Sequence, residues 1–167
     1  MQNARTDNLK LNHVSIPKDA TGILVARSRL PINKQEELDF LKEIKSAIIL
    51  KDLGASVILI PRIKRPGGNG FLPGPDALVN GSLFEFKEIT GRMDKIGARF
   101  NYSRKQGNNV YIRIVNPKLT KPHVMSYMAR LINNPNYKGG YKGSLILTFG
   151  TGNEQKTYFF KISDLKK

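Results

Sequence analysis

The chain of 167 residues carries 28 Lys and Arg against 13 Asp and Glu, a net charge of +15 and a pI of about 10.1; that length suits one domain with a proper core, and that charge favours anionic partners such as nucleic acid, anionic membrane or an acidic protein. It has no cysteine, which excludes disulfides, thiolate chemistry and cysteine-based zinc sites, and its two histidines, His13 and His123, are too few for a His-rich metal site. No segment approaches the roughly 18 apolar residues of a membrane-spanning helix and no signal-peptide pattern follows Met1, so the chain is expected to be soluble, and basic residues spread over its folded segments point to nucleic acid as the partner.

Residues 1–33 are mixed in composition, with two prolines and little periodicity. They read as a linker or loosely attached entry segment with room for a short strand at "GILVA", so the domain proper is expected to run over residues 34–167. From Lys34 to Leu53 the sequence is rich in Glu, Leu, Lys and Ile, free of Gly and Pro, and closed by Gly54, which predicts a helix. "SVILIP" is a short apolar run ended by proline, as a buried central strand would be. A basic Gly/Pro loop, "RIKRPGGNGFLPG", leads into "PDALVNGSLFEFKE", which reads as a tight hairpin. A helix is expected at "GRMDKIGARFNYSRKQ", a strand at "NVYIRIV" and a helix at "TKPHVMSYMARLINN". "GSLILTF" and "KTYFFKI" then form a strand pair around "GTGNEQ". The fold class is therefore α/β, a mixed central sheet flanked by helices.

The hairpin carries the chemistry. Asn80-Gly81 is the signature of a two-residue type I′ turn. That turn sets Val79 opposite Ser82, Leu78 opposite Leu83, Ala77 opposite Phe84 and Asp76 opposite Glu85. Alternation puts Glu85 and Lys87 on one face and Ala77, Val79, Phe84 and Phe86 on the other. Two like charges directly opposed across strands are destabilising, and a divalent cation held by both carboxylates is the natural compensation. Mg²⁺ takes one or two carboxylates together with substrate phosphate. Lys87, one pleat repeat from Glu85, is then placed to position or help deprotonate water, or to stabilise charge on the phosphate. These are parts for phosphodiester hydrolysis. The plainer alternative is that Lys87 only pairs with Glu85 while Asp76 is a solvated strand-end residue.

Further along, Met93, Ile96 and Phe100 form one apolar stripe, and Arg99, Tyr102 and Gln106 a separate one, at the same helical spacing. Arg can neutralise a backbone phosphate and Tyr can stack on an unpaired base, so Arg99, Tyr102 and Gln106 are candidate nucleic-acid contacts. The loop before the hairpin adds Arg62, Lys64 and Arg65 as a candidate clamp on the strand. His123, after Thr120 and Pro122 at a helix start, reads as a surface or capping residue.

Pro75-Asp76 followed by Glu85-Phe86-Lys87 resembles the signature of the PD-(D/E)xK, or restriction-endonuclease-like, nuclease superfamily. The order helix, three strands, helix, strand over residues 34–115 is similar to that superfamily's αβββαβ core, here followed by a C-terminal helix and strand pair. The sequence is most similar to the C-terminal tRNA nuclease domains of contact-dependent growth inhibition (CdiA-type) toxins. The matching positions are Glu43, Ala47, Leu50 and Gly54, then "PDALVNGSLFEFK", then Gln106, Asn109 and "VYIRI". The resemblance implies Mg²⁺ (or Mn²⁺) at Asp76 and Glu85, with Glu43 as an accessory ligand, Lys87 as the base-side catalytic residue and Gln106 beside the active centre. It also implies tRNA as substrate, an immunity protein as partner (acidic, to cover a basic cleft), and delivery into the cytoplasm of a target cell. The residues themselves leave other readings open. These are a DNase of the same fold, a non-catalytic nucleic-acid-binding module, and a metal-independent RNase using His123 or Lys87.

Overall fold

The computed structural model describes residues 3–5, 22–31, 33–63, 65–68, 70–103, 109–134 and 142–166. The chain divides into two compact units, residues 1–84 and 85–167. The expected α/β class holds, since each unit joins helix to strands paired in both senses.

In the first unit, strands β1 (Asn3–Arg5) and β2 (Leu24–Ala26) pair antiparallel. Helix α1 (Lys34–Asp52) follows, and strand β3 (Val57–Leu59) then returns parallel to β2, so β2, α1 and β3 form a βαβ crossover. Asn33 caps α1 by accepting from the Glu36 amide at 2.9 Å. At the other end, Ala55 donates to the Leu50 carbonyl and Gly54 to that of Lys51, with Gly54 at φ +87°, which is a Schellman stop. The inward stripe of α1 buries Phe40, Ile44, Ala47 and Leu50. Of the expected entry segment 1–33, the strand within "GILVA" forms as β2, and Ile23, Val25 and Ala26 are buried. Residues 22–31 are thus integral to this unit.

Strand β4 (Ala77–Val79) pairs antiparallel with β3 and with the start of strand β5 (Ser82–Ile89). Three of the four expected hairpin pairs are present, with Ala77 opposite Phe84, Leu78 opposite Leu83 and Val79 opposite Ser82. Asn80 at φ +48° and Gly81 at φ +78° give the two left-handed residues of a type I′ turn. The Asn80 side chain also accepts from the Ser56 amide at 2.8 Å, while its own amide donates to the Ser56 carbonyl at 2.9 Å. The turn is therefore tied to the start of β3 as well as closing its own strands.

The second unit contains the rest of β5, helix α2 (Met93–Ser103), strand β6 (Asn109–Ile114), helix α3 (Lys121–Ile132), and strands β7 (Ser144–Phe149) and β8 (Lys156–Lys161). β6 and β7 are parallel, joined through α3, and β8 pairs antiparallel with β7, which is the expected closing pair. The core gathers Ile89, Ile96 and Phe100, then Val110, Ile112 and Ile114, with Val124, Met128 and Ile132 from α3 and Leu145 and Leu147 from β7. Among the described residues no helix is long and apolar enough to cross a membrane.

Gly97 lets α2 approach α3, because a Cβ there would lie 2.2 Å from the Tyr127 hydroxyl. Alanine would gain about 1 kcal/mol of helix propensity but forces Tyr127 aside, an overpacking cost of about 1–3 kcal/mol. Urea unfolding should show Gly97→Ala destabilising the wild type but stabilising a Tyr127→Ala background. Equal destabilisation in both backgrounds would show that the contact is not what selects glycine.

Candidate active site

Three chain segments meet at one end of the strands of the first unit. Because β2 and β3 run parallel, the chain leaves both at the same end, placing the turn Arg27–Arg29 beside Ile60. Antiparallel β4 starts at that end, and the Ile60 amide donates to the Asp76 carbonyl at 3.1 Å. The Asp76 amide in turn donates to the Phe84 carbonyl at 2.8 Å, which fixes the residue just ahead of β4. The crossover helix α1 presents Glu43 from the edge of its packed face.

Arg29 joins these elements. Its side chain is 2% exposed, and its Nε donates to Glu43 Oε2 at 2.9 Å. A terminal guanidinium nitrogen donates to Asp76 Oδ1, and the other donates to the Ile60 carbonyl at 3.3 Å. The second carboxylate oxygen of Glu43 accepts from Arg62 at 2.7 Å. Glu43 and Asp76 are 12% and 13% exposed, so two acids and two guanidiniums form a formally neutral and largely desolvated cluster. Burial opposes the Arg29 charge, but the fields of Glu43 and Asp76 and the hydrogen bonds to both outweigh it and raise its pKa above the ordinary value.

In the second unit, Glu85 is buried and Lys87 half-buried, and Lys87 donates to Glu85 Oε1. They share a face of β5 as the alternation predicts, and the ion pair of the plainer alternative is present. Phe86 points the other way, with its ring 5.3 Å from that of Tyr111. Beyond it, Glu88 pairs with Arg113. Burial pushes the Tyr111 hydroxyl up to about 12 against the smaller opposing pull of its neighbours, so this phenol keeps its proton at neutral pH.

The candidate nucleic-acid contacts fall in different settings. Arg62 is turned back onto Glu43 and lies 5.6 Å from the centroid of the Phe71 ring. Arg65 is exposed in the loop, and Arg99 and Tyr102 are exposed on α2. Lys64, Gln106 and His13 lie outside the described residues. His123 is exposed, with Nδ1 3.2 Å from the Thr120 hydroxyl, which suits a surface residue. Sequence reasoning missed Arg29, whose acidic partners are 14 and 47 positions away. The local signal was two arginines, Arg27 and Arg29, following an apolar run, with nothing to mark the second as buried.

Glu43 and Asp76 offer hard carboxylate oxygens of the kind Mg²⁺ takes. Among the described residues no group of three or more His, Asp or Glu gathers for one ion.

Residues 73–149 match the model of the contact-dependent growth inhibition CdiA C-terminal domain. The match supports the toxin family named by the resemblance and spans somewhat under half of the chain. Domains of that family are delivered to target cells and pair with immunity proteins. Asp76, Glu85 and Lys87 lie inside the matched segment, whereas Arg29, Glu43 and Arg62 lie outside it. No curated protein and no solved structure matches the chain.

Removing one partner from a buried ion cluster strands the others. Glu43→Ala leaves Arg29 with one carboxylate and should cost about 3 kcal/mol. The more exposed Arg62 should cost no more than about 1 kcal/mol on Arg62→Ala. Urea unfolding of both variants tests that order, and equal losses would show that Arg29 does not depend on Glu43.

Proposed function

We propose that this chain is the toxic domain of a contact-dependent growth inhibition system and that it acts as a metal-dependent ribonuclease, with tRNA as its substrate. The observation that carries the reading is that Asp76, inside the segment matching the toxin family, shares a desolvated cluster with Glu43. The net charge of +15 supports a polyanionic substrate.

The residues fit Mg²⁺ or Mn²⁺ in donor type and number. Mg²⁺ commonly takes one or two protein carboxylates, and Glu43 and Asp76 already converge on a single cationic group, the Arg29 guanidinium. Those two residues would hold the ion, which when bound supplies Lewis-acid polarisation of the phosphodiester. Glu85 is proposed as a further carboxylate of the reaction on the sequence pattern alone. Lys87 is assigned to proton handling and to charge developing on the phosphate. The exposed Arg65, Arg99 and Tyr102 are assigned to RNA backbone and base contacts. For a domain this basic, the immunity protein is proposed to be acidic, and the site of action to be the target-cell cytoplasm.

The test is total tRNA incubated with purified protein in Mg²⁺ and in excess EDTA, with plasmid DNA alongside. Wild type should cut tRNA only with metal. Asp76→Ala and Lys87→Ala should each lose about 100-fold or more in rate, the scale of removing a preorganised charge from a reaction site. Cleavage of DNA in place of tRNA would move the reading to a DNase. Cleavage surviving EDTA would remove the metal, and binding to either polymer without cleavage would leave a binding module.

A further inference from the structure

Arg29 makes contacts in the first unit that no sequence pattern anticipates, and its geometry is that of a counter-ion. It touches both acids, Nε on Glu43 and a terminal nitrogen on Asp76, and it adds the Ile60 carbonyl as a third oxygen. Three oxygens from α1, the end of β3 and the start of β4 thus converge on one positive group. Arg62 differs, since it contacts Glu43 on the other oxygen and is 23% exposed. Arg29 is 2% exposed, so its guanidinium is not presented at the surface to a nucleic acid.

We infer that Arg29 is a positioning residue that sets how tightly the Asp76–Glu43 pair takes a divalent cation. Its guanidinium holds the two carboxylates in place while no ion is bound, and an entering ion must displace it from the oxygens it occupies. The inference rests on reading Asp76 and Glu43 as the ion's carboxylates. Two physical effects act in the same direction. The guanidinium occupies Glu43 Oε2 and Asp76 Oδ1, each of which would have to exchange a charge-assisted hydrogen bond for a metal bond. Its charge also repels a second cation in a poorly screened setting, where Coulomb energies at a few ångströms are several-fold larger than in water. In return, the protein without metal avoids two mutually repelling carboxylates at 12% and 13% exposure. The closed cluster makes the fold independent of the ion, and it makes ion uptake a local rearrangement.

The experiment is Mn²⁺ binding to the full chain without RNA, followed by the electron paramagnetic resonance signal of free Mn²⁺. Arg29→Gln should bind Mn²⁺ about tenfold tighter than wild type or more. Arg29→Lys, which keeps the charge but cannot fork between two carboxylates, should fall in between. Arg62→Gln should change affinity by no more than about twofold, because Arg62 contacts only one acid and is partly screened by water. Asp76→Asn should remove the site in every background. Unchanged or weaker binding by Arg29→Gln overturns the inference, and so does an equal gain from Arg62→Gln, which would mean general electrostatics. If Arg29→Gln does not fold, Arg29→Lys decides, and an affinity at or below wild type overturns the inference. The two readings separate cleanly. A protein that shows this affinity order yet cuts no RNA loses the nuclease reading and keeps the Arg29 assignment, while one that cuts tRNA with metal but shows no order among the variants does the reverse.

Discussion

The first unit turns on one buried charge. An arginine removed from water at 2% exposure is tolerable only where anionic partners satisfy it, and here Glu43 and Asp76 do so. The requirement also runs backwards. Two carboxylates brought together from α1 and the start of β4 need a cation between them, and the chain supplies its own. The parallel pairing of β2 with β3 makes this possible by delivering Arg29 and Ile60 to the same end of the strands. An antiparallel β2 would have sent the residues after it to the opposite end, leaving both acids without their counter-ion.

The hairpin adds a second constraint, and a local one. A type I′ turn at Asn80-Gly81 sets the register, and strand alternation then decides which side chains go where. Phe84 and Phe86 are buried on one face, and Glu85 and Lys87 share the other as an ion pair. A slip of one residue would reverse every one of these assignments. The turn resists that slip because Asn80 also exchanges two hydrogen bonds with Ser56, at 2.8 and 2.9 Å. The residues proposed to carry chemistry in β5 are thus placed by a turn and its tether together with the burial of Phe84 and Phe86 on the opposite face.

Two kinds of polar burial coexist in the chain, and they do different things. Glu43, Arg29 and Asp76 come from distant parts of the sequence and close an ionic cluster. Tyr111, Glu88 and Arg113 come from two strands of the second unit. There burial dominates the phenol and holds its proton in place at neutral pH. The first cluster is the one proposed to exchange its own cation for a metal ion. The second pairs Glu88 with Arg113 beside that buried phenol, which suits a structural role.

The amino-acid sequence by itself determined the features whose causes are local. Gly54 after the Leu and Ile face of α1, the apolar run of β3, Asn80-Gly81 and the stripe Val124, Met128, Ile132 each declare an element or a register within a few residues. The pairing of Lys87 with Glu85 was legible for the same reason, because two positions along a strand face the same way. Sequence also placed Asp76 at the head of β4, though not what that carboxylate would touch. Tertiary structure alone decided the partners. Arg29, read as part of an entry segment, became the centre of the cluster, and Arg62, read as a clamp for nucleic acid, turned back onto Glu43. Ion pairs of this kind depend on which strands run parallel and on where a crossover helix lies. No window of sequence holds that information, because Arg29 and Asp76 are 47 residues apart and meet only after β2, β3 and β4 have paired.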